Sequence, residues 1–240
     1  MEWIRLPLVQ CVIHDTRRIQ PTNRREPVNE FISSRWTDIL FRSYQHASLV
    51  IQALILATVV ALVIAVIVTR YRGLSPVANA VSAVGLTIPS LALLGLVIPL
   101  VGIGTLPSVF IVVFFAVLPI LRNAIVGLQQ IPAELIEAAR GQGMNAASIL
   151  LRVRLPLAWP VIMTGIRVST QMSMGVAAIA AYALGPGLGG YIFTGLSQIG
   201  SANALYYTLV GTIGVIIVAL ILDAVLVLLG RLTTSKGLRA

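Results

Sequence analysis

Two long stretches of this chain carry no charged residue: 49 residues from Gly73 to Leu121 and 55 from Val168 to Leu222. In water such segments would lack the charges that keep a folded surface solvated, so they point to a chain embedded in a membrane. Composition agrees, with 58% of residues in the hydrophobic set and 10% charged, against about 25% charged in ordinary soluble domains. The net charge of +9, from 17 Lys and Arg against 8 Asp and Glu, would suggest nucleic acid if it covered a face. It is instead squeezed into short gaps and tails, so no nucleic-acid partner is expected. The one cysteine, Cys11, excludes a disulfide framework and Cys-based zinc or cluster sites. The first 30 residues hold five Arg and no continuous apolar stretch, which does not read as a secretory signal.

A hydrocarbon layer about 30 Å thick needs roughly 20 apolar helical residues. Ala47 to Thr69 supplies one such span. Gly102, Gly104 and Pro107 divide the next run into Pro76 to Val101 and Pro107 to roughly Gly127. A fourth span runs from Leu155 to about Leu184, and a fifth from about Ala204 to Gly230 after a Gly-rich connector, Gly185 to Gly200. The expected fold is therefore an all-α membrane protein of five spans, with six as the alternative. Residues 1–46 form a basic N-terminal tail, 47–235 the membrane domain and 236–240 a short tail.

Cytoplasmic loops carry an excess of Arg and Lys. Arg70, Arg72, Arg122, Arg140, Arg152, Arg154, Arg231, Lys236 and Arg239 fall after odd-numbered spans, and the gaps after spans two and four have no basic residue. The C-terminus and the loop 131–156 are thus expected in the cytoplasm and the N-terminus outside. Arg5, Arg17, Arg18, Arg24, Arg25, Arg35 and Arg42 sit awkwardly with that placement. Between Phe31 and Tyr44, aromatic and aliphatic residues interleave with Glu30, Arg35, Asp38 and Arg42; this stretch reads either as an interfacial helix or as the polar end of the first span.

Enzymatic motifs are not expected to function here. The only lysine, Lys236, follows Ser235, so there is no Walker A loop. Gly185, Gly187 and Gly190 match G-x-G-x-x-G but end a membrane segment, whereas a dinucleotide site needs a strand before the run. His14 and His46 have no companion ligand at a metal-binding interval and read as surface residues. No acid pair lies in an apolar segment. No catalytic residue, metal or cofactor is expected.

The loop Ile131 to Pro156 is the informative stretch. Pro132 suits a first helical turn, Glu134 and Glu137 favour the N-terminal half of the helix dipole, and Arg140 lies within pairing range of Glu137. Gly143 can end that helix in the left-handed region, and a second short helix is expected from Asn145 to Val153. Ala138 and Ala139 leave part of the first helix nearly bare, open to close approach by another protein.

Glu137-Ala138-Ala139, Gly143, Val153 and Leu155-Pro156, at this spacing in a basic-side loop, resemble the EAA loop of bacterial ATP-binding-cassette importer permeases. The resemblance implies a type I importer permease fold in a bacterial plasma membrane. It implies that Glu134, Glu137, Ala138, Ala139 and Gly143, with Leu155 and Pro156, couple the chain to an ATPase subunit. It further implies a second permease subunit and an extracytoplasmic substrate-binding protein as partners, with ATP hydrolysis outside this chain. Thr87 to Gly95, Ile98 to Gly104, Leu118 to Asn123 and Gly185 to Leu196 are similar to the permeases that import glycine betaine, choline, carnitine and related osmoprotectants. The long Arg-rich N-terminal tail departs from that pattern.

Pro89 frees a carbonyl in span two beside Thr87 and Ser90, an irregularity tolerated at membrane depth only where protein or a water-filled path covers it. Thr87, Pro89 and Ser90, with Ser169 and Gln171 of span four and Tyr182, are the candidate translocation path; helix packing is the alternative role for such residues. Arg167 and Asp223 are lone charges in spans four and five. A charge at mid-membrane costs at least about 2.5–3.5 kcal/mol on insertion scales, so a structural ion pair between them is expected, with a snorkelling Arg167 as the alternative. Aromatic residues able to cage a quaternary ammonium are few, so the high-affinity site is expected on the separate binding protein. An importer of another small solute, such as an amino acid, and a secondary transporter are the rival readings. The latter should show paired repeats and a buried ion site, and neither is evident.

Overall fold

The computed structural model describes residues 27–71 and 73–234. Cys11, His14, Arg72, Lys236, Arg239 and residues 1–26 of the basic tail lie outside them. Among the described residues all regular structure is helical. The elements are α1 (Val28–Arg70), α2 (Leu74–Gly85), α3 (Ser90–Val101), α4 (Thr105–Gln129), α5 (Ala133–Gly141), α6 (Ala146–Ile149), α7 (Leu155–Ala180), α8 (Gly189–Ser197) and α9 (Ala204–Thr233). A π-helical turn, Leu150–Arg154, joins α6 to α7, and a 3-10 turn, Ala181–Ala183, extends α7.

Four helical stretches are long and apolar enough to cross a membrane: α1, α4, α6 through α7, and α9. The pair α2–α3, bent by 94°, makes a fifth only if counted as one broken span. The described residues therefore hold no sixth span. Span two, expected as one stretch from Pro76 to Val101 with an irregular backbone at Pro89, is broken there outright. Pro89 has no N–H to donate and disfavours the helical region for the residue before it. Each half has 12 residues, about 18 Å of helix, too short to cross alone.

The stretch 31–44 is not a separate interfacial helix. It is continuous with span one in the 43-residue α1. Nothing between Glu30 and Ala47 breaks a helix, since neither Pro nor Gly occurs there. At 1.5 Å per residue α1 is about 64 Å long, roughly twice the hydrocarbon thickness, so its polar first half stands beyond it.

α1, α4 and α7 form the core, with α4 packed most extensively on α7 and then on α1. Ala53, Ala57, Ala61 and Ala65 recur every four residues on α1 and are all essentially inaccessible; this small-residue stripe lets α4 approach closely. Two buried clusters result. One joins Ala57 to Val68 with Ala116 to Leu128 and Ala158 to Ile166. The other joins Leu49 to Ala53 with Ile111 to Phe115 and Met174 to Leu188. By contrast α9 buries only Gly211 and Val218, leaving an apolar surface suited to lipid or a neighbouring subunit.

Side-chain ties define two ends. At the loop end, the Gln129 amide donates to Ser75 Oγ at 2.8 Å, Arg154 Nη2 to the Leu128 carbonyl at 3.2 Å, and Trp159 Nε1 to Thr233 Oγ1 at 2.7 Å. At the far end the start of α1 meets α8 and α9: Tyr191 donates its phenol to Asp38 at 2.7 Å, and Arg35 Nε donates to the Tyr207 hydroxyl at 3.2 Å. Arg70, Arg140, Arg152, Arg154 and Arg231 thus gather at the loop end. Arg35 and Arg42 lie at the far end, where Glu30 and Asp38 match them in number, so the far end carries no net charge from these four.

The connector 185–200 also differs from expectation. It holds α8, and its glycines are packing surfaces. Gly187, at φ +118°, lies against His46, and an added Cβ would come within 2.7 Å of His46 Nδ1. His46 is accordingly fully buried and is not a surface residue. The G-x-G-x-x-G run follows a helix and a 3-10 turn, without the strand a dinucleotide loop requires.

Candidate coupling and translocation sites

α5 begins after Pro132, with Glu134 in its first turn and Arg140 in its last. Its end is a complete Schellman motif. The Gly143 N–H reaches the Arg140 carbonyl at 2.9 Å and the Met144 N–H the Ala139 carbonyl at 3.1 Å, closed by Gly143 at φ +79°. Asn145 then caps the next helix, its Oδ1 accepting from the Ser148 N–H at 2.8 Å. The second helix is not a separate short one: it runs through the π turn into α7. Pro156 has no N–H to offer the Arg152 carbonyl, and the Leu155 N–H bonds to Leu150 instead, which widens the turn. Leu155 and Pro156 therefore sit at the junction of loop and span.

Ala139 is the only residue of α5 that is buried. Glu134, Leu135, Glu137 and Ala138 are exposed, and an added Cβ at Gly143 would meet open space. The flanking helices are tightly joined just above: a Cβ on Gly127 would come within 3.1 Å of the Ala158 carbonyl and of Val161. α5 thus lies in the connection between the closely packed α4 and α7.

The six candidate path residues do not converge. Thr87 bonds back to the Val84 carbonyl at 2.8 Å. Thr87 and Pro89 are exposed at the break between α2 and α3, with Ser90 half-buried. Ser169 is fully buried and donates to the Ala116 carbonyl of α4 at 2.7 Å, which makes it a packing position. Gln171 is exposed and reaches the Asp223 carboxylate. Tyr182 lies in the 3-10 turn at the far end, its ring 5.6 Å from that of Phe193.

A cleft of about 290 Å³ opens beside that break, lined by Leu86, Pro119, Arg122, Asn123, Val126, Val168 and Met172. None of the six residues lines it. Arg122 was expected among the basic residues that follow span three; the helix runs seven residues past it to Gln129, about 10 Å. The signal was present in the sequence, since the apolar pattern continues through Leu128. The Asn123 amide donates to the Pro119 carbonyl at 2.9 Å, and Asn123 fits closely against Gly165 of α7.

Arg167 and Asp223 face each other across α7 and α9 as a two-pronged pair, Nε to Oδ1 and Nη2 to Oδ2, both 2.9 Å. The planar guanidinium fork matches the carboxylate and satisfies both charges. Among the described residues no group of three or more His, Cys, Asp or Glu could hold a metal ion.

Residues 57–235 match the family described as binding-protein-dependent transport system inner membrane component. The chain belongs to this permease family. The permease is 37% identical over 214 residues to the choline transport system permease protein OpuBB of Bacillus subtilis, covering 88% of this chain and 95% of that one. It is 38% identical to the glycine betaine/carnitine/choline permease protein OpuCB of the same organism, over 87% of this chain and 94% of the relative. It is 37% identical to the osmoprotectant import permease protein OsmW of Salmonella typhimurium, over 82% and 92%. Its fold matches a chain of the MetNI methionine ABC transporter in an inward-facing conformation, with a TM-score of 0.69, 21% identity, and coverage of 82% of this chain and 96% of that chain. The permease is therefore an inner-membrane component with the fold of an ABC importer.

Proposed function

We propose that the permease is the membrane-spanning subunit of an ATP-driven importer for quaternary ammonium osmoprotectants, the class that includes glycine betaine, choline and carnitine. It pairs with a second permease subunit, receives solute from an extracytoplasmic binding protein, and hydrolyses no ATP itself. A separate ATPase docks on Glu134, Glu137, Ala138, Ala139 and Gly143, and its closure is carried by Leu155 and Pro156 into α7. The observation that carries this reading is α5 itself, a helix with most of its surface bare, held at both ends by backbone motifs between the two helices that wall the cleft. The names of the relatives support the solute class. The loop end is assigned to the cytoplasm because five arginines, Arg70, Arg140, Arg152, Arg154 and Arg231, gather there among the described residues against Arg35 and Arg42 at the far end, and the C-terminus is assigned to the same side.

The Arg167–Asp223 pair is structural in this reading, cancelling two charges inside the spans. The deciding experiment is uptake of labelled glycine betaine, choline and carnitine into liposomes holding the reconstituted complex and its binding protein. Accumulation should require ATP. Accumulation without ATP would refute the coupling scheme, and failure of all three solutes beside uptake of an amino acid would move the permease to another solute class.

A further inference from the structure

Arg122, Arg167 and Asp223 are the charged residues that lie more than a turn inside α4, α7 and α9, and of these three only the last two neutralise each other. Arg122 is exposed, borders the cleft, and has no carboxylate partner among the described residues. An ionisable group at such depth is costly to leave without a partner, and it marks a solute or ion pathway more often than a packing position. The cleft around it is small, at the lower end of the range for small-molecule sites. Its walls divide by chemistry. Arg122 and Asn123 are polar and lie on one turn of α4. Leu86, Val126, Val168 and Met172 are apolar, and the Met172 thioether is polarizable and adaptable.

We propose that this cleft is a low-affinity solute site on the translocation path, in which Arg122 receives the carboxylate of a zwitterionic osmoprotectant while the apolar wall takes its methylated ammonium end. The proposal rests on the osmoprotectant reading above and makes Arg122 a specificity-determining residue. A planar guanidinium suits a carboxylate, which it can hold through two parallel hydrogen bonds. It offers nothing to choline, a cation without a carboxylate, and repels it. The absence of an aromatic ring from the lining keeps the ammonium end weakly held, as a passage site must be if solute is to leave it. The site is walled by α4 and α7, the two helices that α5 joins, and by the end of α2, so movement of the loop would reshape it.

The test uses the complete reconstituted complex with saturating binding protein, comparing ATP-driven uptake of glycine betaine, carnitine and choline. Arg122→Gln should lower uptake of the two carboxylated solutes about ten- to hundredfold, as expected for loss of a charged hydrogen bond, and leave choline within about twofold or raise it. Arg122→Lys keeps the charge but not the fork and should fall between. If the Gln variant does not assemble, the same ratio read in the Lys variant decides. Equal losses for all three solutes, or no change in any, would overturn the assignment and leave Arg122 as a residue reaching lipid headgroups or the second subunit. A wild-type complex that moves choline but neither carboxylated solute would also overturn it while leaving the importer reading intact. A complex that moves none of the three would sink the osmoprotectant reading on which the proposal rests.

Discussion

The two ends of this bundle are built on opposite plans. At the loop end, α5 buries one residue and is shaped almost wholly by its own backbone: a proline start, a Schellman stop at Gly143 and an asparagine cap at Asn145. At the far end, the first half of α1 is stitched to α8 and α9 by side chains. Phe31 lies edge-on to Tyr206 and Tyr207 at 5.6 and 4.9 Å, Arg35 stacks over Phe31 at 4.2 Å, and Gly187 closes over buried His46. A surface whose shape is held locally, with little packing of its own, is free to be gripped by another protein without disturbing the core. A surface held by interlocked side chains resists movement. The difference predicts that mutations at the loop end uncouple the protein without unfolding it, and that mutations at the far end do the reverse.

The largest expected effect is at Gly143. Valine there cannot adopt φ near +79° without strain, being β-branched as well as chiral, and it would unwind the end of α5. Gly143→Val should abolish solute-stimulated ATP turnover in the reconstituted complex while membrane insertion and thermal stability stay near wild type. Wild-type turnover would show that α5 is not the transmitting element. Gly187→Val is the mirror experiment. Its side chain would meet His46 at 2.7 Å from Nδ1 and 3.1 Å from Cα, adding overpacking to backbone strain, a cost of about 2–4 kcal/mol. Thermal unfolding of the purified protein in detergent should fall accordingly. An unchanged melting temperature would mean that the far end is looser than its contacts imply.

How much of this plan was visible in the sequence depended on how local its causes were. The helix–glycine–cap grammar of residues 132–149 was legible because each signal acts within a few residues. The spans were legible because hydropathy is additive along a helix. The continuity of α6 into α7 was missed because Pro156 produces a π turn, a subtler response than a break. The opposite error occurred at Pro89, where a full break replaced the single irregular span that was expected. Path and packing stayed open for Ser169 because only tertiary structure brings the Ala116 carbonyl within 2.7 Å. α8 was hidden by glycines, which read as a loop but serve close helix contacts. His46 could not be read as buried, since what covers it is a glycine loop roughly 140 residues away in sequence. The cleft around Arg122 had the same difficulty: its walls come from three helices.

The smallest expected effect sharpens the contrast most. The Tyr191 phenol donates to Asp38 at 2.7 Å, and the same carboxylate accepts from Arg42 Nε at 2.9 Å. Tyr191→Phe removes one bond and keeps the ring, its packing beside Tyr207 and the Asp38–Arg42 pair. Asp38 is exposed, so water can take the vacated position, and the loss should be about 0.5–1.5 kcal/mol. If the far end only stitches the bundle together, this variant melts slightly earlier and transports at the wild-type rate. A tenfold fall in ATP-driven uptake at unchanged stability would overturn that division of labour, because the hydrogen bond between α1 and α8 would then have to break or form during the transport cycle.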